Sequence, residues 1–173
     1  MVSPQASSKL SAPIDLMRVR QMFNDPARTA RSDFLRREVA SRMFDRLALV
    51  KTAPRQVLDA GCGNGAKIAQ LANEGAAACV GVDISGNFIA PPPGVEFIQG
   101  DLSDLSVLPG LAGRRFDRVL FLQSFGYATD PVHALRVAAS MLTDDGFILL
   151  TRTQPVRYAL ERAEQNGTSL GQE

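Results

Sequence analysis

The sequence predicts an open α/β layer: a parallel sheet of five strands with helices on both faces. Three observations carry this. Short apolar runs of five to seven residues recur between positions 55 and 151. Helical periodicity lies between several of them. The run at 55–60 leads straight into the glycine-rich stretch "VLDAGCGNG" at 57–65. Strands that alternate with helices point to a parallel sheet, because a parallel pair needs a crossover long enough to hold a helix.

The chain of 173 residues is 45% apolar and 21% charged, the balance of one globular domain. A formal net charge of +1 advertises no nucleic-acid or acidic-membrane surface. No apolar run reaches transmembrane length. The start "MVSPQASSKLSAP" lacks the apolar centre of a secretory signal. Cys62 and Cys79 are the only cysteines, and His133 is the only histidine. No metal-ligand spacing is present, so no metal is expected, and a reducing, cytoplasmic setting is.

Three segments are expected: a disordered tail at 1–15, an N-terminal helical extension or lid at 16–52, and a ligand-binding domain at 53–173. Leu16, Met17, Val19, Met22 and Phe23 predict a short helix, broken at "NDPARTARS". From Ser32 or Asp33, either able to cap, a longer helix follows. Its apolar stripe is Leu35, Val39, Met43 and Leu47, with Phe44 beside it. Arg36, Arg37, Glu38, Arg42, Asp45 and Arg46 take the opposite face, and the helix ends before Pro54. Strands are expected at 55–60, 78–83, 95–99, 117–123 and, after a turn at Asp144–Gly146, at 147–151. Helices are expected at 65–74, at 131–143 and from about Pro155 to Gln165.

In such a sheet, ligands bind at the carboxyl ends of the strands. Gly61, Gly63 and Gly65 fall in the turn after the first strand. Glycine there lets a ligand approach the main chain, and the following helix turns its amino-terminal end toward that ligand. The stretch fits a dinucleotide template, with Gly61, Gly63 and Ala66 at G-x-G-x-x-A. It is not a P-loop, since no Gly-Lys-Ser/Thr follows. Asp83 ends the second strand, where a carboxylate can accept both hydroxyls of a ribose, in NAD or in an adenosyl cofactor. Asp101, beside the amide of Leu102, can pair with the adenine edge. Asp59 stands two residues before the first glycine. A pyrophosphate there would be repelled, whereas an ammonium or sulfonium would be attracted.

These motifs make the chain resemble the class I S-adenosylmethionine-dependent methyltransferases. The resemblance rests on "VLDAGCGNG", "VGVDIS", "FIQGDL", "FDRVLFLQS" and "ALRVAASMLTDDGFILL", in that family's order from roughly 55 to 153. It implies a Rossmann-like sheet of order 3-2-1-4-5, S-adenosyl-L-methionine as cofactor, and transfer of a methyl group to a small-molecule or carrier-bound acceptor. It implies that Asp59, Gly61 and Gly63 face the methionine part, that Asp83 holds the ribose, and that Ile84 flanks the adenine. Asp101 and Leu102 would read the adenine edge, and Gln123 would face the cofactor or substrate mouth. The segment before the first strand, with "LRREVASRM", is similar to the biotin-pathway malonyl-carrier-protein methyltransferases.

Two departures stand out. Pro91, Pro92 and Pro93 leave no room for a helix between Asp83 and Asp101, which predicts a more open adenine pocket. No strand pair follows the fifth strand, so the usual C-terminal hairpin is missing and "FILLT" would form a bare edge. Continuation of the native chain past Glu173, a homodimer covering that edge, and a degenerate relative all remain open. Two alternatives to the enzyme follow: a non-catalytic adenosyl-binding scaffold that works through a partner, and an NAD-dependent oxidoreductase.

His133 is read as a surface residue rather than a general base, and Arg18, Arg20 and Arg28 as solvated charge. Phe125 and Tyr127 either line the acceptor pocket or pack their own loop. Cys62 has no visible base partner. Displacement from a sulfonium depends mainly on placement of the acceptor, so no catalytic residue is named.

Overall fold

The computed structural model describes residues 14–31, 33–50, 53–76 and 78–151. The expected N-terminal tail falls almost wholly outside them, as does the helix expected from Pro155 to Gln165. Three helices come first: α1 (Leu16–Asn24), α2 (Pro26–Arg31) and α3 (Asp33–Ala48). Then follow β1 (Gln56–Ala60), α4 (Ala66–Asn73), β2 (Ala78–Asp83), β3 (Val95–Gln99), β4 (Phe116–Phe121), α5 (Pro131–Ser140) and β5 (Leu142–Leu150). The strands form one sheet in the order β3-β2-β1-β4-β5, parallel throughout. This is the Rossmann-like arrangement that the sequence predicts.

Both faces of the sheet are covered, so its strands read as unbroken apolar runs. Successive side chains point to opposite faces. Leu58, Val80, Val82 and Val119 therefore enter one core with α5, and Val57, Cys79 and Leu120 enter the other with Ile68 and Leu71 of α4. The Asp117 carboxylate accepts from the amides of Arg55 and Gln56 at 2.8 and 3.0 Å, which fixes the start of β1 against β4.

One element differs from expectation, and two others add to it. The buried stripe of α3 is Ala40 and Met43, with Phe44 and Leu47 packed on the second core, while Phe34 is exposed. Met43, Phe44 and Leu47 lie where the sequence reading puts them, Ala40 joins them, and Arg36 stands one turn before Ala40. The last strand begins early, at Leu142. Its pairing with β4 jumps from Phe116↔Leu142 to Arg118↔Phe147, so Thr143–Gly146 form an irregularity inside the strand rather than a turn before it. Finally, residues 84–94 contain no helix, as Pro91–Pro93 predict, and they pack back on the domain. The Ile89 amide donates to the Asn64 carbonyl at 2.9 Å, and Phe88 stacks on Phe97 at 4.9 Å.

The turn from β1 to α4 positions the site. Gly65 precedes α4 at φ +85°, and a Cβ there would lie 2.2 Å from the Phe97 ring. Gly63 has φ +62° but faces open space. Gly63→Ala is expected to cost only the left-handed backbone strain, about 1–2 kcal/mol. Gly65→Ala should cost clearly more, because Phe97 must also move. Urea unfolding of both variants checks this; equal losses would contradict it.

Candidate functional site

A cavity of about 620 Å³ opens at the carboxyl ends of the strands and is roofed by the N-terminal helices. All eight residues singled out in the sequence line it: Asp59, Gly61, Gly63, Asp83, Ile84, Asp101, Leu102 and Gln123. They arrive from four places: the end of β1 and its turn, the end of β2, the start of the segment after β3, and the end of β4.

Asp59 is only 2% exposed, and its Oδ1 is buried without a hydrogen-bond partner. Burial, and then the nearby Asp83 charge, push its carboxyl from 3.8 up to about 7; Lys67 opposes them. Asp83 accepts from the Gly63 amide at 2.8 Å with one oxygen and from the Ser85 amide at 2.9 Å with the other. Each carboxylate oxygen keeps a second lone pair for a ligand hydroxyl. Asp101 accepts from the Ser103 amide through Oδ1 at 2.9 Å.

The main-chain cradle is less free than the glycine pattern predicts. The Gly61 and Cys62 amides both donate to the Val82 carbonyl, at 2.7 and 2.9 Å. The Gly63 amide is held by Asp83, that of Gly65 by the Cys62 carbonyl, and that of Ala66 by Asn64 Oδ1. These glycines shape the turn, but most of its donors are already committed. Gly61 leaves no room for a Cβ beside Ser124, whose hydroxyl donates to the Ala60 carbonyl. Gln123 is the single non-glycine residue with positive φ among the described residues, at 58°, and its amide donates to Thr151 Oγ1 at 2.7 Å. This local strain falls at the mouth of the cavity.

The N-terminal helices supply the wall that the motifs do not. Leu16, Val19 and Phe23 of α1 face the cavity, and the Phe23 ring meets Tyr127 edge-on at 5.2 Å. Asn87 Nδ2 donates to the Asn24 carbonyl at 3.3 Å. From α3, Arg36 enters the lining with its guanidinium over the Phe23 ring, and its carbonyl accepts from Lys67 Nζ. Lys67 also lines the cavity, and burial lowers its pKa. Sequence reasoning missed Arg36 and Lys67; the four-residue step from Arg36 to Ala40 was the available signal.

The remaining candidates separate cleanly. Tyr127 lines the cavity, while Phe125 is buried against Phe121. His133 sits outside the cavity lining and pairs with Asp104 at 2.9 Å. Arg18, Arg20 and Arg28 are exposed, and none lines this cavity. Cys62 is buried, and burial pushes its thiol far up, away from nucleophilic use. Among the described residues, no cluster of His, Cys, Asp or Glu could hold a metal ion.

Comparison with known proteins now bears on this geometry. Residues 58–150, more than half of the chain, match a family described as a methyltransferase domain. The chain is 52% identical over 59 residues to a malonyl-[acyl-carrier protein] O-methyltransferase of Methylovorus sp. (strain MP688), covering 34% of this chain and 20% of that protein. It is 30% identical over 103 residues to a tRNA U34 carboxymethyltransferase of Aeromonas hydrophila subsp. hydrophila, covering 57% of this chain and 32% of that protein. The matches thus span no more than about a third of these curated relatives. Among solved structures, the complex of a Haloferax volcanii Trm112 methyltransferase activator with a putative methyltransferase superposes with a TM-score of 0.66 at 24% identity. That alignment covers 87% of this chain and 67% of the other.

The Asp59 geometry fixes a pH dependence. Folding raises this carboxyl from 3.8 to about 7, so the folded state binds its proton more tightly than the unfolded state does. Below about pH 4 both states are protonated and there is no cost of ionising Asp59 in the folded state. Between pH 4 and 7 the cost grows, at up to about 1.4 kcal/mol per pH unit, and above 7 it is constant. Asp59→Asn is therefore expected to gain stability relative to the parent across pH 4–7. Urea midpoints at pH 5 and 8 check this; a gap that does not change with pH would contradict it.

Proposed function

The chain belongs to the methyltransferase-domain family of class I, S-adenosylmethionine-dependent enzymes, and from that premise we propose that it binds S-adenosyl-L-methionine and transfers its methyl group to a small-molecule or carrier-bound acceptor. One observation carries the reading: a buried carboxylate, Asp59, with an unpartnered oxygen in the wall of a cavity of about 620 Å³. A cationic ligand would supply the missing partner and restore the charge that burial suppresses. A pyrophosphate would do the opposite, which argues against NAD.

The residues present fit the group. Asp59 and the open side of Gly63 would receive its amino-acid part, Asp83 its ribose, and Asp101, Leu102 and Ile84 its adenine. When bound, the sulfonium supplies a methyl group that departs without needing a proton. This chain's own residues place and enclose. Phe23, Leu122 and Tyr127 line the space beside the tips of β1 and β4, where an acceptor would lie. The segment 16–52 acts as a lid over the cofactor-binding domain at 53–173. The contacts that support this are Phe23 on Tyr127 and Asn24 with Asn87.

A carrier-bound acceptor is supported by the malonyl-carrier-protein relative, within the residues it shares with this chain. An RNA acceptor is the competing reading, favoured by the tRNA-modifying relative. The net charge of +1 weighs against it. A homodimer across β5 belongs to the proposal, motivated by Leu150, 38% exposed at the end of that strand. So does a cytoplasmic setting, motivated by two buried, unpaired cysteines.

Isothermal calorimetry with S-adenosylmethionine, S-adenosylhomocysteine and NAD tests the central reading. Both adenosyl ligands are expected to bind and NAD is not; binding of NAD alone would overturn it. Asp101→Ala should weaken S-adenosylhomocysteine binding by about 1–3 kcal/mol, the loss of an acceptor from a bound polar edge. An unchanged affinity would remove Asp101 from the adenine site.

A further inference from the structure

The end of β4 is held in an unusual way from β5, a strand that carries none of the residues singled out in the sequence. From Arg118 to Phe121 the two strands pair residue for residue with Phe147 to Leu150. One step on, the Thr151 amide donates to the Phe121 carbonyl at 3.0 Å, so the ladder still runs. The next donor breaks it. The Gln123 amide donates to Thr151 Oγ1 at 2.7 Å, a side chain standing where a main-chain carbonyl would otherwise serve. Thr151 therefore grips β4 and its exit twice, at Phe121 and at Gln123. Gln123 sits at φ 58°, the left-handed region that a residue with a Cβ enters at a cost. Such a conformation persists only where its surroundings hold it. Here they hold it on both sides. Ser124, 5% exposed, donates its hydroxyl to the Ala60 carbonyl of β1. The resulting turn brings Leu122, Gln123 and Ser124 together into the cavity lining.

We propose that Thr151 is a positioning residue: its hydroxyl keeps Gln123 left-handed, and so holds the Gln123 carboxamide against the side of the bound adenosyl ligand that looks toward β4. The inference rests on the adenosyl reading of the cavity and extends the site to the end of β5. A carboxamide both donates and accepts, so it can meet polar ligand atoms of either kind. Two small effects oppose each other at Gln123. The bond to Thr151 Oγ1 favours the left-handed backbone, and the Cβ of Gln123 disfavours it. Without the hydroxyl, the Gln123 amide loses its acceptor and the residue relaxes toward ordinary φ. The side chain is then carried off the cavity wall, while the strand beneath it stays paired through Phe121. The strained backbone is thus a means of pointing a side chain into the cavity at the place where β4 leaves the sheet.

The test is a double-mutant cycle on the 173-residue chain, read as the dissociation constant for S-adenosylhomocysteine by calorimetry. Gln123→Ala removes the carboxamide. Thr151→Val keeps the volume and branching of threonine and removes only the acceptor. Each is expected to weaken binding by about 3- to 10-fold, the range for one hydrogen bond between neutral groups. The double variant should be no weaker than Gln123→Ala alone, because Thr151 acts through Gln123. Thr151→Ser, which keeps the hydroxyl, should stay within about twofold of the parent. Thr151→Ala removes the same acceptor in a different shape and should repeat the loss seen in Thr151→Val. A general loosening of the fold would add its effect to that of Gln123→Ala, and serine would not rescue it. Losses that add in the double variant, or an affinity unchanged in Thr151→Val and Thr151→Ala, would overturn the positioning role and leave the adenosyl reading standing. A parent protein that does not bind S-adenosylhomocysteine would overturn the adenosyl reading, and the role of Thr151 with it.

Discussion

A carboxylate that is 2% exposed, with one oxygen lacking a partner, is the constraint on which the rest of this site depends. Charged groups are rarely left so, because the cost of desolvation exceeds what a single hydrogen bond returns. Asp59 is held there by secondary structure rather than by any partner. It lies in β1, between β2 and β4, with Gly81 and Leu120 as its register neighbours. The sheet is closed on both faces around that position. The strand therefore delivers a carboxyl to the cavity wall with its proton affinity already raised. Such displaced groups mark places where a ligand completes the structure.

Around Asp59 the glycine turn serves geometry more than donation. Gly61 makes room for Ser124, Gly65 for Phe97, and Gly81 for Cys62. The result is a tight hook from β1 over the end of β2 that leaves a gap only at Gly63. The charged side chains around it include Asp83 and Asp101 from the strand ends, and Arg36, Arg37 and Lys67 from the helices, all in the cavity lining. The N-terminal helices complete a cavity that the sheet opens on one side only.

The order and direction of the strands were legible in the sequence. Both sheet faces are covered, so each strand appears as a compact apolar run with a polar residue at its end. The eight cavity residues at the strand ends were legible for the same reason: in a parallel sheet, position along a strand is position relative to the site. What escaped reading depends on small residues or on contacts distant in sequence. On α3, Met43, Phe44 and Leu47 were legible, while the burial of Ala40 was not, because a small residue adds little to an apolar stripe. The early start of β5 escaped because "TDDG" reads as a turn, whereas Leu142 already pairs with Phe116. That 84–94 holds no helix was legible from its prolines; its contacts, Phe88 on Phe97 and Ile89 to Asn64, were not, because no local pattern signals them.

The account turns on Asp59 being a suppressed charge that a cationic ligand restores. The most direct measurement is the proton balance of binding. S-adenosylhomocysteine is titrated into the protein at pH 6 in buffers of different ionisation enthalpy. Asp59 is largely protonated there in the free protein and ionised beside the ligand's ammonium, so close to one proton should be released per ligand bound, falling toward none above about pH 8. Binding at pH 6 with no proton exchanged would contradict the account.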